Sequence, residues 1–287
     1  MIHTKLQKPK INISTDKNYK TVKKMVQESY LNTVCAEARC PNIYECWNRK
    51  TATLMILGDT CTRACGFCSV KTGKPTWNDP LEPIRVAQAV KKMGLRHVVI
   101  TSVDRDDLKG DFGASIWADT IKQTKKVNPG CTVEVLTPDF KGFEPALKIV
   151  FDSKPDIFSH NVECVERISK AVRAQANWQR SLGVLEKSIQ HGLRTKTGIM
   201  VGLGEEVEEV KKTMRQVVDL GVQIFTIGQY LQPTKNHLKV EEYISKEQFE
   251  LYKEYGYSIG FKVVESGPLV RSSYHACLLY TSDAADD

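Results

Sequence analysis

The stretch TATLMILGDTCTRACGFC, residues 51–68, joins a short apolar run to three cysteines with the spacing C-x3-C-x2-C. The apolar run has the length and composition of a buried strand. In parallel α/β folds, ligand-binding loops follow the carboxyl ends of the strands. The triplet Cys61, Cys65 and Cys68 is therefore predicted to form an active-site loop instead of a zinc knuckle on the surface.

The same alternation of apolar runs and amphipathic stretches continues along the chain. The predicted strands are 51–58, 97–101, 131–138, 156–160, 194–202, 222–228 and 262–266, and the predicted helices between them are 83–94, 114–127, 144–152, 178–192, 205–221 and 245–260. Short apolar strands separated by helices imply a parallel sheet with right-handed crossovers. Six or more such units favour an α/β fold of the TIM-barrel type, complete or partial, with a doubly wound open sheet as the alternative.

The remainder of the chain divides around this core. Residues 1–50 are predicted to be an N-terminal extension, 51–265 the βα barrel, and 266–276 a C-terminal segment. The last eleven residues, CLLYTSDAADD (277–287), depart in style from what precedes them and are predicted to be a non-native tail. Cys277 lies in this tail and is therefore not predicted to have a function.

Composition limits the class of protein. Hydrophobic residues make up 41% and charged residues 26% of the chain, as in globular proteins. The sequence contains no run of 18 apolar residues, so a membrane-spanning helix is not expected. The N-terminus also has no apolar core of the kind found in a secretory signal. Nine cysteines in such a chain favour metal or catalytic sites over disulfides. Cys131 and Cys164 stand alone and are predicted to be buried as small apolar residues.

Positive charge is concentrated at the N-terminus. The net charge is +7, and residues 1–34 carry seven lysines against two acidic residues. Such a basic arm can attract an acidic partner, or it can be a solvated leader.

Two charged features have simpler interpretations. The run from Asp104 to Asp107 is predicted to be a charged loop that pairs within itself. Arg173 is predicted to face solvent, with the carboxylate of a bound ligand as the alternative partner.

Three thiolates with no fourth ligand nearby indicate a particular kind of metal site. A closed zinc site needs four ligands, whereas three thiolates suit a cubane of four irons with one iron left open. A zinc site or a redox thiol set stays possible from the spacing alone. A second triplet, CAEARCPNIYEC (35–46), has the different spacing C-x4-C-x5-C and is also one ligand short.

The first triplet, with Phe67 before its last cysteine, resembles the radical S-adenosylmethionine (SAM) superfamily. The resemblance implies a (β/α)6 partial TIM barrel with N- and C-terminal extensions. It also implies a [4Fe–4S] cluster whose open iron binds SAM and whose electron cleaves SAM to a 5′-deoxyadenosyl radical.

Further motifs narrow the resemblance to the lipoyl synthase family. They are ITSVDRDD (100–107), LTPDF (136–140), SHNVE (159–163), GIMVGLGE (198–205), GQYLQPT (228–234) and GPLVRSSYHA (267–276). That family inserts sulfur at C6 and C8 of a protein-bound octanoyl-lysine, giving lipoyl-lysine, and an auxiliary [4Fe–4S] cluster supplies the sulfur. The resemblance implies that Cys35, Cys40, Cys46 and Ser273 bind this second cluster, with Ser272 as the alternative ligand.

The resemblance also implies contacts to SAM at the ends of several strands. Turn chemistry at the same strand ends is the simpler interpretation of these residues. Those assigned to the cofactor are Phe67, Thr101, Ser102, Asn161, Glu163, Met200, Val201 and Gly202. Tyr230, Gln232 and Lys235 are predicted to lie at the mouth of the substrate site.

The partners implied by the resemblance are octanoylated lipoyl carrier proteins, namely the glycine cleavage H protein and E2 lipoyl domains. An electron donor such as ferredoxin or flavodoxin and an iron–sulfur carrier that rebuilds the second cluster are implied as well. No membrane or nucleic acid is expected, and a bacterial cytoplasmic location is favoured over a mitochondrial one. A two-cluster radical SAM tRNA methylthiotransferase and a non-catalytic zinc protein are the alternative functions.

Overall fold

The computed structural model describes residues 8–9, 17–28, 32–37, 40, 42–48 and 52–273. The strands are β1 (Asn32–Thr33), β2 (Thr53–Ile56), β3 (Thr60–Cys61), β4 (Lys71–Thr72), β5 (His97–Ser102), β6 (Thr132–Leu136), β7 (Ile157–Ser159), β8 (Thr195–Val201), β9 (Ile224–Gln229) and β10 (Val263–Gly267). The helices are α1 (Lys17–Glu28), α2 (Val34–Glu37), α3 (Ile43–Asn48), α4 (Glu82–Met93), α5 (Ala114–Val127), α6 (Glu144–Asp152), α7 (Glu166–Val172), α8 (Trp178–Gln190), α9 (Val207–Asp219) and α10 (Lys246–Ser258). The predicted tail, 277–287, lies outside the described residues.

Strand order distinguishes between the two predicted layouts. The main sheet runs β1-β2-β5-β6-β7-β8-β9-β10, and every pair from β2 to β10 is parallel. A doubly wound sheet reverses its strand order at a switch point, and this sheet keeps the chain order throughout. The fold is therefore the predicted α/β partial barrel. β1 adds an antiparallel strand beside β2, and β3 and β4 form a separate parallel pair.

Burial explains why these segments form strands and helices. Each of the four residues of β2 is buried, as expected for a strand covered on both faces. On α5 the buried residues Trp117 and Ile121 are four positions apart and make one apolar face toward the sheet. Glu206 is the N-cap residue of α9, and its side chain forms a reciprocal capping box with that of Glu209.

One buried ion pair lies among the strands. Lys196 Nζ on β8 donates to Glu134 Oε1 on β6 at 2.8 Å, and both side chains are fully buried. Burial opposes the charge of Glu134, but Lys196 and the neighbouring His97 hold the pKa of its carboxyl below the usual value. Because β7 lies between β6 and β8, the two side chains meet across one face of the sheet.

None of the helices in the described part of the chain is both long and apolar enough to cross a bilayer.

Candidate active site

A cavity of about 510 Å³ lies where the barrel strands end. Most of the strand residues that line it sit at or near the carboxyl ends of their strands, among them Met55, Thr101, Ser102, Leu136, Met200, Gly228 and Gln229. Loops that follow these strands complete the lining. This edge of the sheet is where barrels of this type carry their active sites.

The first cysteine triplet opens into this cavity. Cys61, Cys65 and Cys68 all line it, on the loop that follows β2 as the sequence predicts. Burial raises the pKa of Cys65 to about 12 and that of Cys68 to about 11, so without a metal these thiols keep their protons at neutral pH. Metal cations stabilise the thiolate and displace those protons. The donor set therefore fits an iron–sulfur cluster.

Backbone contacts hold the loop of the first triplet. Gly66 N donates to Val172 O at 3.0 Å, and Leu238 N donates to Gly66 O at 2.9 Å. His237 Nε2 lies 2.9 Å from Cys68 O, and since a carbonyl only accepts, this nitrogen carries the proton. A Cβ on Gly66 would lie 2.9 Å from Leu238 Cγ. A side chain at that position would therefore push against the loop that holds it.

Arg63, inside the first triplet, binds three carboxylates. Its Nε and Nη2 each donate to the Asp106 carboxylate at 2.9 Å, and Nη2 lies 2.7 Å from Asp139 Oδ1. Nη1 lies 3.3 Å from Asp104 Oδ1. Burial opposes the charge of Asp139, but hydrogen bonds from Arg63 lower its pKa to about 2. Burial dominates at Asp104 and raises its pKa to about 6.

The prediction of pairing within the run 104–107 is therefore only partly right. Arg105 pairs with Asp107 inside the run, with Nε 2.8 Å from Oδ1. Asp104 and Asp106 pair instead with Arg63, more than forty positions earlier. These ion pairs join the loop after β2 to the loop after β5.

Two backbone N–H groups point at the sulfur of Cys61. Arg63 N lies 3.4 Å and Asp104 N 3.3 Å from Cys61 Sγ. Hydrogen bonds to cluster sulfurs shift the reduction potential of iron–sulfur centres. The loops after β2 and β5 thus both contribute to the electrostatic surroundings of this thiol.

The second triplet reaches the same cavity through two of its three cysteines. Cys35 and Cys40 line the cavity, and Cys40 N donates to Cys35 O at 3.1 Å. Burial raises the pKa of Cys40 to about 11. Cys46 lies on α3 and packs against the hydrophobic core instead of lining the cavity.

The predicted serine ligand also lies at this cavity. Ser272 and Ser273 line it together with Arg271, whose positive charge acts on the thiol of Cys40. Asn42 Nδ2 donates to Leu269 O at 2.6 Å, which ties the segment between Cys40 and Cys46 to the C-terminal segment. The two ends of the described chain therefore meet beside the barrel opening.

The residues assigned to SAM fall into two groups. Six of them line the cavity: Phe67, Thr101, Ser102, Asn161, Glu163 and Met200. Val201 is fully buried, and neither it nor Gly202 is part of the lining. Gly202 has a positive φ of 96°, and its Cβ would lie 2.4 Å from Glu242 O. Close packing of that turn against residues 241–242 therefore explains this glycine without a ligand.

Arg173 is a site residue that sequence reasoning placed wrongly in solvent. Its side chain is buried and lines the cavity, with Nη1 3.1 Å from Asn161 O and Nη2 2.9 Å from Ser181 Oγ. Arg173 Nε, Asn161 Oδ1 and Thr137 Oγ1 are buried without a hydrogen-bond partner in the described residues. Unsatisfied buried polar groups around a cavity fit a polar ligand inside it. Tyr230 and Gln232, predicted at the substrate mouth, also line the cavity, whereas Lys235 does not.

The arrangement of thiols differs from a single-ion site. Within the described ranges, no three His, Cys, Asp or Glu side chains converge on a point where one metal ion would bind. A cubane puts each thiolate on a different iron, so its ligands need not converge in this way. The lone Cys131 and Cys164 are buried, as predicted, and neither lines this cavity.

The fold and the first triplet define the class of protein. The model of the radical SAM superfamily matches residues 55–217. The chain is thus a radical SAM enzyme, and this class implies a [4Fe–4S] cluster and SAM as cofactors.

Relatives identify the branch of that class. The lipoyl synthase of Rubrobacter xylanophilus is 56% identical over 269 residues, covering 93% of this chain and 84% of that protein. The mitochondrial lipoyl synthase of Nematostella vectensis is 52% identical over 273 residues, covering 94% of each. The chain belongs to the lipoyl synthase family. These relatives do not favour the alternative of a tRNA methylthiotransferase.

Solved structures agree on the fold. SuiB of Streptococcus suis with bound S-adenosylmethionine has a TM-score of 0.60 at 11% identity, covering 90% of this chain and 58% of SuiB. Methylornithine synthase has a TM-score of 0.57 at 12% identity, covering 77% of this chain and 72% of that protein. At such low identity, these likenesses concern the fold alone.

Proposed function

We propose that this chain converts a protein-bound octanoyl-lysine to lipoyl-lysine by inserting sulfur at C6 and C8. The observation that carries the proposal is the shared cavity: the first triplet, two cysteines of the second, and Ser273 all open into it. A reaction that joins a SAM-derived radical, an acyl chain and a sulfur source needs all three in one enclosed space. The proposal keeps the predicted division into an extension (1–50), a barrel (51–265) and a C-terminal segment (266–276).

Two clusters would have separate protein ligands. Cys61, Cys65 and Cys68 would hold the cluster that binds SAM. When bound, the cluster and SAM together supply the 5′-deoxyadenosyl radical that removes hydrogen from an unactivated carbon. The second triplet, Cys35, Cys40 and Cys46, would hold the cluster that supplies sulfur, with Ser273 as its fourth ligand.

The cavity wall suits an acyl chain. Val103, Leu136, Ile199, Leu231 and Val270 contribute apolar side chains to the lining. An apolar wall binds a hydrocarbon tail and excludes the water that would quench a radical.

Polar groups sit at defined places in the same cavity. Arg173 and Glu163 both line the cavity and would face the carboxylate and the ammonium group, respectively, of a zwitterionic amino-acid moiety such as that of SAM. Burial raises the pKa of the Glu163 carboxyl, so a cationic group of the ligand beside it would favour its ionised form. By their position, Thr101, Ser102, Asn161 and Met200 would complete the contacts to SAM, with Phe67 beside the cluster.

Membership of the family implies a lipoyl-carrier protein as the macromolecular substrate. We propose the glycine cleavage H protein and E2 lipoyl domains as carriers, ferredoxin or flavodoxin as the electron donor, and an iron–sulfur carrier that rebuilds the second cluster. Lys8, in the basic N-terminal segment, lines the cavity, which supports a role for that segment in docking an acidic carrier.

The test is sulfur insertion into a defined peptide. The chain is reconstituted anaerobically with iron and sulfide, then given SAM, a reductant and an octanoyl-lysyl peptide, and the peptide is followed by mass spectrometry. We expect a product that has gained two sulfurs and lost two hydrogens, together with 5′-deoxyadenosine.

Matched cysteine variants give the test its specificity. Cys35→Ala is expected to form 5′-deoxyadenosine without any sulfur product. Cys131→Ala, a buried cysteine outside the cavity, is expected to keep both products. Equal sulfur insertion by Cys35→Ala and the wild type would show that the second triplet is not the sulfur site.

A further inference from the structure

The C-terminal strap, residues 268–273, is held against the barrel opening from several sides. Val270 O lies so close to the end of β9 that a Cβ on Gly228 would be 2.1 Å from it. Asn42 holds Leu269 O from the N-terminal extension. These contacts bring the strap beside the cavity, where Ser272 and Ser273 join the lining.

One side-chain hydrogen bond ties the strap to the loop after β7. Asn161 Nδ2 donates to Ser272 Oγ at 2.6 Å, across 111 positions of sequence. Asn161 is itself held in place, because Arg173 Nη1 donates to its backbone carbonyl at 3.1 Å. The Ser272 hydroxyl is thus engaged with the barrel, whereas its neighbour Ser273 is the predicted cluster ligand.

The other end of the same amide has no partner among the described residues. Asn161 Oδ1 is buried and has no hydrogen-bond partner in the described residues, although Asn161 belongs to the cavity lining. A buried carbonyl oxygen without a donor is a place where a ligand hydroxyl or ammonium group binds favourably. An amide that receives such a bond at Oδ1 has a fixed orientation, and its Nδ2 is then fixed toward Ser272.

We propose that Asn161 is a positioning residue that couples binding of SAM to the order of the C-terminal strap. A hydroxyl or ammonium group of SAM donates to Asn161 Oδ1, and Asn161 Nδ2 holds Ser272 so that Ser273 stays at the second cluster. The inference rests on the proposed function, because it takes SAM as the ligand and Ser273 as the cluster ligand. Coupling of this kind is reciprocal, so loosening the strap weakens binding of SAM by the same factor.

Hydrogen exchange of the strap measures the coupling directly. The full chain, reconstituted with iron and sulfide, is exchanged in deuterated buffer with and without SAM and without acyl substrate, and the peptide containing 268–273 is followed by mass spectrometry. In the wild type, we expect SAM to slow exchange of this peptide by about fivefold or more. In Ser272→Ala, the slowing is expected to disappear, and the dissociation constant for SAM from equilibrium dialysis is expected to rise by about the same factor.

Two further variants separate coupling from a general defect. Ser272→Thr keeps the hydroxyl and is expected to recover both the slowing and the affinity. Ser266→Ala removes a nearby hydroxyl that donates to Phe249 O at 2.7 Å, away from the cavity, and is expected to behave as the wild type. If SAM slowed the strap equally in the wild type and in Ser272→Ala, with equal affinity, the inference would be wrong.

This result is independent of sulfur insertion. Coupling without a sulfur product would contradict the proposed function and leave the link between Asn161 and the strap in place. A sulfur product without coupling would contradict the inference about Asn161 and leave the proposed function in place.

Discussion

The two cysteine triplets are supported in different ways, although they open into one cavity. The loop of the first triplet is held by contacts from within the barrel: Arg63 binds aspartates after β5 and β6, and His237 holds Cys68 O. The second triplet relies on the two ends of the described chain, joined by the hydrogen bond from Asn42 to Leu269 O. The first site is therefore part of the barrel, and the second is assembled on top of it.

The difference matches the roles proposed for the two sites. A cluster that cleaves SAM more than once per product has to stay in place, which a loop fixed at several points provides. A cluster that gives up its sulfur has to be rebuilt, and ligands outside the barrel would allow access for that. A serine oxygen is a harder ligand for iron than a thiolate, so the proposed ligand Ser273 would weaken one corner of the second cluster.

The largest effect is expected when the support of the first triplet is removed by Arg63→Gln. The change leaves three carboxylates near one another without their shared cation, and Asp139 among them is almost fully buried. Breaking a buried ion pair from one side destabilises proteins by about 3 kcal/mol or more. We expect a loss of this size in urea denaturation of the metal-free chain, and loss of the first cluster's iron after reconstitution.

An exposed arginine provides the control. Arg167→Gln removes a two-pronged contact to Glu209 on the surface, with Nε 2.7 Å from Oε1 and more than half of the Arg167 side chain exposed. Water replaces such a contact, so no resolvable change is expected. Similar denaturation curves for the two variants would show that Arg63 does not anchor the loop.

A smaller effect is expected when the support of the second triplet is disturbed by Gly228→Ala. The new methyl group would lie 2.1 Å from Val270 O, and a backbone atom cannot turn away as a side chain can. Overpacking of this kind destabilises by about 1–3 kcal/mol, and here it displaces the strap. We expect the reconstituted variant to lose iron from the second cluster and to keep formation of 5′-deoxyadenosine when SAM is saturating.

Gly267→Ala is the matched control for Gly228→Ala. Its Cβ would make an ordinary contact, 3.4 Å from a methyl carbon of Val270. Full iron content is expected in this variant. If both variants lost iron to the same extent, the close approach of Val270 O to Gly228 would not be what supports the second cluster.

The smallest effect is expected from His237→Ala. It removes the hydrogen bond to Cys68 O and a second one between His237 Nδ1 and Thr234 Oγ1, and it leaves the other contacts of the first triplet's loop intact. Each hydrogen bond contributes about 1 kcal/mol, so only a small loss of stability is expected. We expect a chelator to remove iron from the first cluster faster than in His191→Ala, a surface histidine paired with Asp152. Equal rates would mean that this bond does not support the cluster.

Sequence predicted the barrel well because its signals are local. The helices predicted at 114–127 and 144–152 coincide with α5 and α6. The short helix α7 was missed, since only Ser169 and Val172 are buried on it and its periodic signal is weak. The buried Lys196 and Glu134 were missed as well, because charged residues in a strand suggest exposure and their pairing crosses 62 positions.

The residues of the site could be predicted where a short sequence spacing indicates the chemistry, but not where distant residues come together by packing. Both triplets follow from their spacing and Ser273 from the family resemblance, and the structure puts all of these residues except Cys46 along one cavity. The partners of Arg63 lie up to 76 positions away, and Arg173 was assigned to solvent because it is basic. No local pattern shows which distant residues a charged side chain will bind.

Iron and sulfide per chain test the central claim, two clusters on separate ligands, most directly. After anaerobic reconstitution and gel filtration, the wild type is expected to hold about eight irons, because a cubane contains four and two are expected. About four irons each are expected in two triple variants, Cys35→Ala/Cys40→Ala/Cys46→Ala and Cys61→Ala/Cys65→Ala/Cys68→Ala. Matching sulfide values would confirm that the iron is in clusters. A wild type that holds only about four irons, or a triple variant that retains the full content, would contradict the account.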